Sequence, residues 1–470
     1  RRLCRGWLQS FPMPDQPPSQ PSQTPPPPFD PNAAHQQRPM LRPIRGFGAP
    51  AQGPEGQQVQ LLGLADARQI SPKVVFTQPA MQAVLPLFNG ENGLDDVVAQ
   101  VGRGLERPML EQFVSQLDDA GLIEGPSFDA MWEKMKSDYD SSDMLPPAQT
   151  AAFADMLVEM HTQKDESRSA TDEEKAEHGA ARLSEQFDIW MNEALSDADD
   201  PSFDALPKGI IAPSLPYANG HRAYAVLYGR MRVVDAPKRI LILGTNHFGN
   251  GTGVVGCDKG FRTPLGETPL DTEMADRLRA ELGDALFEHR YDHEREHSIE
   301  LQCGWIQKVF GVDGTSPPVF AALVHDPSVK DGESYDGTGI AFQPFVDAVV
   351  MAIGELDGPT LVIGSAELSH VGPSYGDQVQ LAGDSPEADQ NRRKVLEQDS
   401  QLLKHITENR PADLISSIAW QQNASRWSST GAIAATSMIC QSESPKLYNL
   451  GAVMDGQGAA MITAPAMVLP

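Results

Sequence analysis

Downstream of Pro207 the chain alternates between two kinds of pattern, and that alternation most narrows the folds open to it. Short apolar runs at Ile210 to Ala212, Arg239 to Leu243, Val319 to Val324 and Thr360 to Ile363 are each bounded by turn or helix signals. Helical spacing fills the intervals at Asp271 to Leu282, Ser298 to Phe310 and Ala341 to Leu356. Strands this short and apolar, separated by amphipathic helices, predict an α/β fold: a sheet with helices on both faces. Ligands of such sheets sit beyond the carboxyl ends of the strands. The residues just past each apolar run are therefore the candidates for chemistry.

Histidines stand there. The run Arg239-Ile-Leu-Ile-Leu leads into Gly244-Thr245-Asn246-His247, and Thr360-Leu-Val-Ile leads into Gly364-Ser365-Ala366-Glu367-Leu368-Ser369-His370. A third, His297, lies in Glu296-His297-Ser298-Ile299-Glu300, where Ser298 opens an amphipathic helix. Imidazole titrates near neutrality and ligates transition metals, and a neighbouring carboxylate raises its basicity and fixes its tautomer. Three imidazoles and two or three carboxylates are expected to converge on one cleft. Glu296, His297 and Glu300 admit a second reading, a helix start whose acidic residues complement its dipole. Ser298 and Ser365 are not expected to be nucleophiles, since a Ser at a helix start caps it and no G-x-S-x-G elbow surrounds either. His221, His289, His293 and His325 are assigned to surface or packing roles, and Trp305, Trp420 and Trp427 to core or interface packing.

The rest of the chain divides by composition. Eleven of residues 1–39 are Pro, which predicts a disordered arm. Residues 40–128 read as a small α+β domain, with strands at Val59 to Leu64 and Lys73 to Thr77, a helix from Pro79 to Phe88 and two further helical stripes. Residues 129–206 read as an acidic helical connector: from Glu111 to Asp204 there are 24 acidic residues against six basic ones. Residues 207–470 form the α/β domain. A formal charge of −27 argues against nucleic-acid and anionic-membrane partners, which recruit Lys and Arg. Cys4, Cys257, Cys303 and Cys440 form no C-x-x-C pair and read as thiols of a reducing compartment. Arg1 to Ser10 lacks the apolar stretch of a signal peptide, Met13 is a plausible initiator, and the expected location is the cytoplasm.

Several motifs, taken in order, resemble the Memo family, known in bacteria as AmmeMemoRadiSam system protein B. They are Ala212-Pro213-x-x-x-Tyr217-Ala218-x-Gly220, Gly244-x-x-His247, Thr263-Pro264-Leu265-Gly266, Glu296-His297-Ser298-Ile299-Glu300 and Ser365-x-Glu367-x-x-His370-x-Gly372. The resemblance implies a fold related to class III extradiol dioxygenases, with a pocket at the ends of the central strands. It implies that His247 is a metal ligand, that His370 is the acid/base or a second ligand, and that His297 and Glu367 share in catalysis. Ser214, Tyr217, Asn246, Glu296 and Glu300 would bind ligand.

The chain departs from the family at two points. Ser214 stands where the first ligand His belongs, and the segment near Ala432 lacks the family's Cys. Iron or copper would lose those donors, so the expectation is a degenerate metal pocket with no cofactor or one of unknown identity. Residues 87–97 and 116–123 resemble the winged-helix-like PqqD family, which implies a peptide- or ligand-binding accessory role beside a radical-SAM protein or a modified peptide. Against DNA binding, Met109 to Leu122 carries Glu111, Asp118 and Asp119 and no Lys or Arg. The alternative reading is a metal-dependent oxidoreductase similar to the dioxygenases.

Overall fold

The structure is a computed structural model that describes residues 27–52, 58–102, 104–455 and 458–470. Cys4, Met13 and most of the Pro-rich arm lie outside the described residues. The described residues fall into two compact units, one ending at Ser142 and the other running from Asp143 to Pro470.

In the smaller unit three antiparallel strands, Ile44–Gln52, Gln58–Asp66 and Val74–Thr77, precede helices Leu94–Val101, Arg107–Asp119 and Pro126–Asp140. Leu64, Val84, Phe88, Val97, Leu110 and Leu117 make its core. The first strand is a finding, because Gly46, Gly48 and Pro50 hide it from periodicity; it lies at the sheet edge, where a proline costs no ladder bond. The helix expected over 79–88 is instead two 3₁₀ turns, Pro79–Ala83 and Leu85–Leu87, since Pro86 has no amide to extend an α-helix. The arm's described end is not disordered. A short helix, Ala34–Gln37, is anchored to Asp118, whose carboxylate accepts from Gln36 Nε2 at 2.6 Å and lies 2.9 Å from His35 Nε2.

The larger unit is built on a sheet whose strands run in the order His370–Val371, Met461–Leu469, Gly209–Pro213, Thr360–Ala366, Arg239–Gly244, Val319–Leu323, Val255–Gly256. The four expected strands are there, mutually parallel, and nearly all their residues are buried, as a sheet covered on both faces requires. The carboxy-terminal hairpin, Lys446–Met454 with Met461–Leu469, joins it antiparallel. Register pairs Ala366 with Pro213 and Gly364 with Leu243, so Ser214, Thr245 and Glu367 leave the sheet at one edge.

From Asp143 onward, the stretch expected as a solvated connector belongs to this unit, while residues 129–142 belong to the smaller one. Helices Gln149–Glu166 and Asp172–Leu195 pack on each other, and the second turns Leu183, Phe187, Trp190 and Met191 inward. Phe187 stacks on Trp305 with centroids 3.9 Å apart and planes within 2°. Acidic residues occupy the outer faces while the apolar stripe is buried, so net charge did not report packing. Trp305 and Trp427 are buried as expected, but Trp420, at the end of a surface helix, is 89% exposed. None of the described helices is long and apolar enough to cross a membrane.

Candidate active site

The strand Arg239–Gly244 carries its chain to His247, and the helix His297–Phe310 is packed against that strand's end. Gly244 permits the close approach, because a side chain there would collide with Ser298 and Ile299. Glu296 is the N-cap of the helix and accepts from the Ser298 amide at 2.9 Å. The same carboxylate accepts from the His247 amide at 2.9 Å, and its Oε1 lies 3.0 Å from His247 Nδ1 and 3.3 Å from His297 Nδ1. Glu296 therefore caps the helix and also contacts both imidazoles. The two rings stack, centroids 5.0 Å apart and planes 25° apart, with Phe248 beside them.

On the far side of these rings stands Glu367, just past the strand Thr360–Ala366. His247 Nε2 lies 3.8 Å from its Oε2, and His297 Nε2 lies 3.9 Å from its Oε1. His370 Nε2 is 3.1 Å from Oε2. Three imidazole nitrogens thus face one carboxylate that is almost wholly buried. His370 Nδ1 meets the carbonyls of Leu368 and Arg426, both at 3.0 Å. Every partner of that ring is an acceptor, an arrangement that favours its doubly protonated form. His247 Nδ1 likewise donates to Glu296, and its Nε2, buried, has no hydrogen-bond partner among the described residues.

Charge follows geometry. Burial alone would raise the Glu296 carboxyl, yet the charges of His247 and His297 and the His247 hydrogen bonds hold it down at about 2. Burial likewise works against ionised Glu367, and the His370 hydrogen bond together with the nearby His297 and His247 rings overcomes it, leaving its pKa far below the usual carboxylate range. His297 is opposed by burial but lifted by Glu296 and Glu367 to about 9. His370, also opposed by burial, is raised above its ordinary value by Glu367.

Residues that the sequence did not single out hold these groups in place. Asp399, buried, accepts from Ser369 Oγ, Thr463 Oγ1 and, at 2.8 Å, Trp427 Nε1, which fixes the turn that carries His370. Arg426 donates to the His370 carbonyl at 3.0 Å and pairs with both oxygens of Asp377. Ser429 Oγ accepts from the Glu367 amide at 2.9 Å and from Thr245 Oγ1 at 2.8 Å, tying two strand ends to the helix Thr430–Cys440. No sequence spacing announces these contacts, which join positions 28 to 184 residues apart.

Three of the expected ligand-binding residues make scaffold contacts. Tyr217 is buried among Phe187, Tyr224 and Trp305, with its hydroxyl donating to the Leu301 carbonyl at 2.6 Å. Glu300 accepts from the amides of Ala148, Gln149 and Thr150 and from Thr150 Oγ1, capping the helix Gln149–Glu166 from a distance. Asn246 shapes the loop after its strand: Oδ1 accepts from the Gly249 amide, and Nδ2 donates to Asp292, which also takes the amides of Asn250 and Gly251. His293 and His325 are packing residues, each ring bonded to a backbone carbonyl.

The donor set that the resemblance implies for iron or copper does not fit this chain. Ser214 is buried at the sheet edge, its hydroxyl without a partner among the described residues, and the Ser429 hydroxyl is engaged by Thr245 and the Glu367 amide. Cys440 packs against Gly209, at the opposite end of the strand from Ser214, so its thiol cannot supply the missing sulfur.

Comparison with known proteins agrees with the fold and the motifs. A family profile described as Memo-like protein matches residues 177–443, more than half of the chain. A MEMO1 family protein of Methanopyrus kandleri is 32% identical over 173 residues, 37% of this chain and 56% of that protein. One of Thermococcus onnurineus is 30% identical over 171 residues, 36% of this chain and 54% of its own. The memo-1 homolog of Caenorhabditis elegans is 36% identical over 106 residues, 22% of this chain and 29% of that one. The chain thus spans about half the length, or less, of these relatives.

Proposed function

The chain belongs to the Memo-like proteins, and from that premise we propose that its cleft binds a small polar ligand or peptide group and that His370, paired with Glu367, exchanges a proton with it. The protein would be an accessory factor in radical-SAM-associated modification. The observation that carries the site reading is the convergence of three imidazole nitrogens, at 3.1, 3.8 and 3.9 Å, on the Glu367 carboxylate. An imidazolium held by two carbonyls and one carboxylate is set to give its proton to whatever displaces the carboxylate. His247 and His297 would position the ligand.

The accessory role rests on the PqqD resemblance of residues 87–97 and 116–123, and a small unit of three strands followed by three helices is a suitable size for such a module. The oxidoreductase alternative requires an iron or copper set that Ser214 and Ser429 do not supply, so no oxygen uptake with catechols is expected. Affinity purification of the tagged full chain from its native host tests the proposal. The wild type should retain a radical-SAM enzyme or a modified peptide, and Glu367→Gln with His370→Ala should release the small ligand. Recovery of neither partner class would remove the accessory role; retention of ligand by the double variant would remove the site.

A further inference from the structure

We propose that an apolar groove between two helices of the larger unit is a docking site for a basic amphipathic helix of a partner protein. Helices Phe342–Glu355 and Pro411–Trp420 each pack on helix Thr430–Cys440, whose Met438 is left half-buried. Two hollows, of about 660 and 610 Å³, meet at Gln343 and Met438, which line both. One wall carries Phe342, Val346 and Val350, four residues apart on a single stripe. The other carries Ile415, Ala419 and Trp420. Two helices seated on a third, with apolar walls and an apolar floor, form the kind of channel that takes the apolar stripe of another helix. None of these residues belongs to the group around Glu367, and nothing here depends on proton exchange at His370.

Exposure and charge select the occupant. Trp420 is 89% exposed in one hollow and Met351 52% exposed in the other, so each presents a large apolar side chain to water. A partner that covers such residues gains most from the Trp, while Met adapts to the shape that meets it. Asp331, Glu333 and Asp347, all exposed, line the hollows, and among the described residues no Lys or Arg does. Asp347 accepts from the neutral Gln343 Nε2 at 2.8 Å, which leaves its charge uncancelled. The neighbouring cations in sequence are engaged: Lys330 Nζ donates to the Tyr335 carbonyl at 2.5 Å, and Arg410 pairs with Glu408 and, at 2.7 Å, with Asp413. A second copy of the chain would bring a net charge of −27 against −27, with one acidic rim facing another, and so is disfavoured here. Lys and Arg beside an apolar stripe instead set cations against three carboxylates while their stems cover apolar surface.

The test uses a labelled Leu/Lys amphipathic peptide of about 18 residues, five helical turns, followed by fluorescence anisotropy against the full chain. A Leu/Glu peptide of the same pattern is the comparison. The Leu/Lys peptide is expected to bind one to one, at least about tenfold more tightly than the Leu/Glu peptide, and less tightly as salt rises. Trp420→Ala should weaken it by roughly 30-fold, the effect of losing a central aromatic anchor, while circular dichroism stays native because the ring is exposed. Asp331→Asn, Glu333→Gln and Asp347→Asn together should weaken binding and remove most of its salt dependence. Glu173→Gln, Glu177→Gln and Glu193→Gln together, which take the same charge from exposed positions of helix Asp172–Leu195, should leave it unchanged. No binding, binding that survives Trp420→Ala, equal loss from the two triple variants, or equal affinity for the Leu/Glu peptide would each overturn the site. So would a wild-type dimer in light scattering that Trp420→Ala dissociates, since a second copy would then occupy this face.

Discussion

An imidazole between two carboxylates has its hydrogens assigned by its neighbours. Glu296 takes the Nδ1 hydrogen of His247 and lies 3.3 Å from His297 Nδ1, while both Nε2 atoms face Glu367. That arrangement was half legible: His247 and His370 stand just past apolar runs, and runs of that kind end at the functional edge of a sheet. Glu296 was legible as a helix start or as a site residue, but the sequence could not say that one carboxylate caps the helix and faces two imidazoles. The thiols make a contrast at the same scale. Burial, with the Glu300 charge added for Cys303, lifts the Cys303 thiol well above its ordinary range and pushes Cys440 up to about 12. Reactivity needs thiolate and access. Native protein at pH 8 treated with iodoacetamide should therefore show Cys303 and Cys440 unmodified by mass spectrometry, and denaturation should release both; rapid native labelling would contradict their burial.

Among the elements, the helix Gln149–Glu166 shows how a site-like residue can be a structural one. Its first amides are satisfied by Glu300, some 150 residues away, instead of by a local cap. Glu300→Ala would leave buried donors unmatched and should cost at least about 1–3 kcal/mol, with faster hydrogen exchange concentrated in residues 149–155. Glu300→Gln should recover part of the loss, because an amide oxygen still accepts. An unchanged exchange pattern in the alanine variant would show that the cap does not hold that helix. The same elements explain why the acidic stretch misled: Phe187 and Trp190 lie on one stripe of a helix whose other face is charged, and averaging over the segment erases the stripe.

For the whole larger unit, pH becomes the relevant variable. Burial pushes His221, His293 and His325 below their ordinary value of 6.5, only partly offset by backbone carbonyls. The unfolded chain takes up protons there that the folded chain resists, so this contribution to stability is intact above about pH 6.5 and declines as pH falls below it. His297 and His370, whose values are raised, act in the opposite sense, so the test is the variant: His293→Gln should lose less of its denaturant midpoint between pH 7.5 and pH 5.5 than the wild type does, and an identical pH dependence would contradict this contribution. The sequence by itself determined the α/β alternation, the strand ends and the histidines near them, because burial period and turn chemistry act over a few residues. Which carboxylate faces which imidazole, and that Tyr217 and Glu300 serve the scaffold, was decided by tertiary structure alone. Those contacts join segments about 50 to 150 residues apart, and side-chain direction there is set by packing between elements.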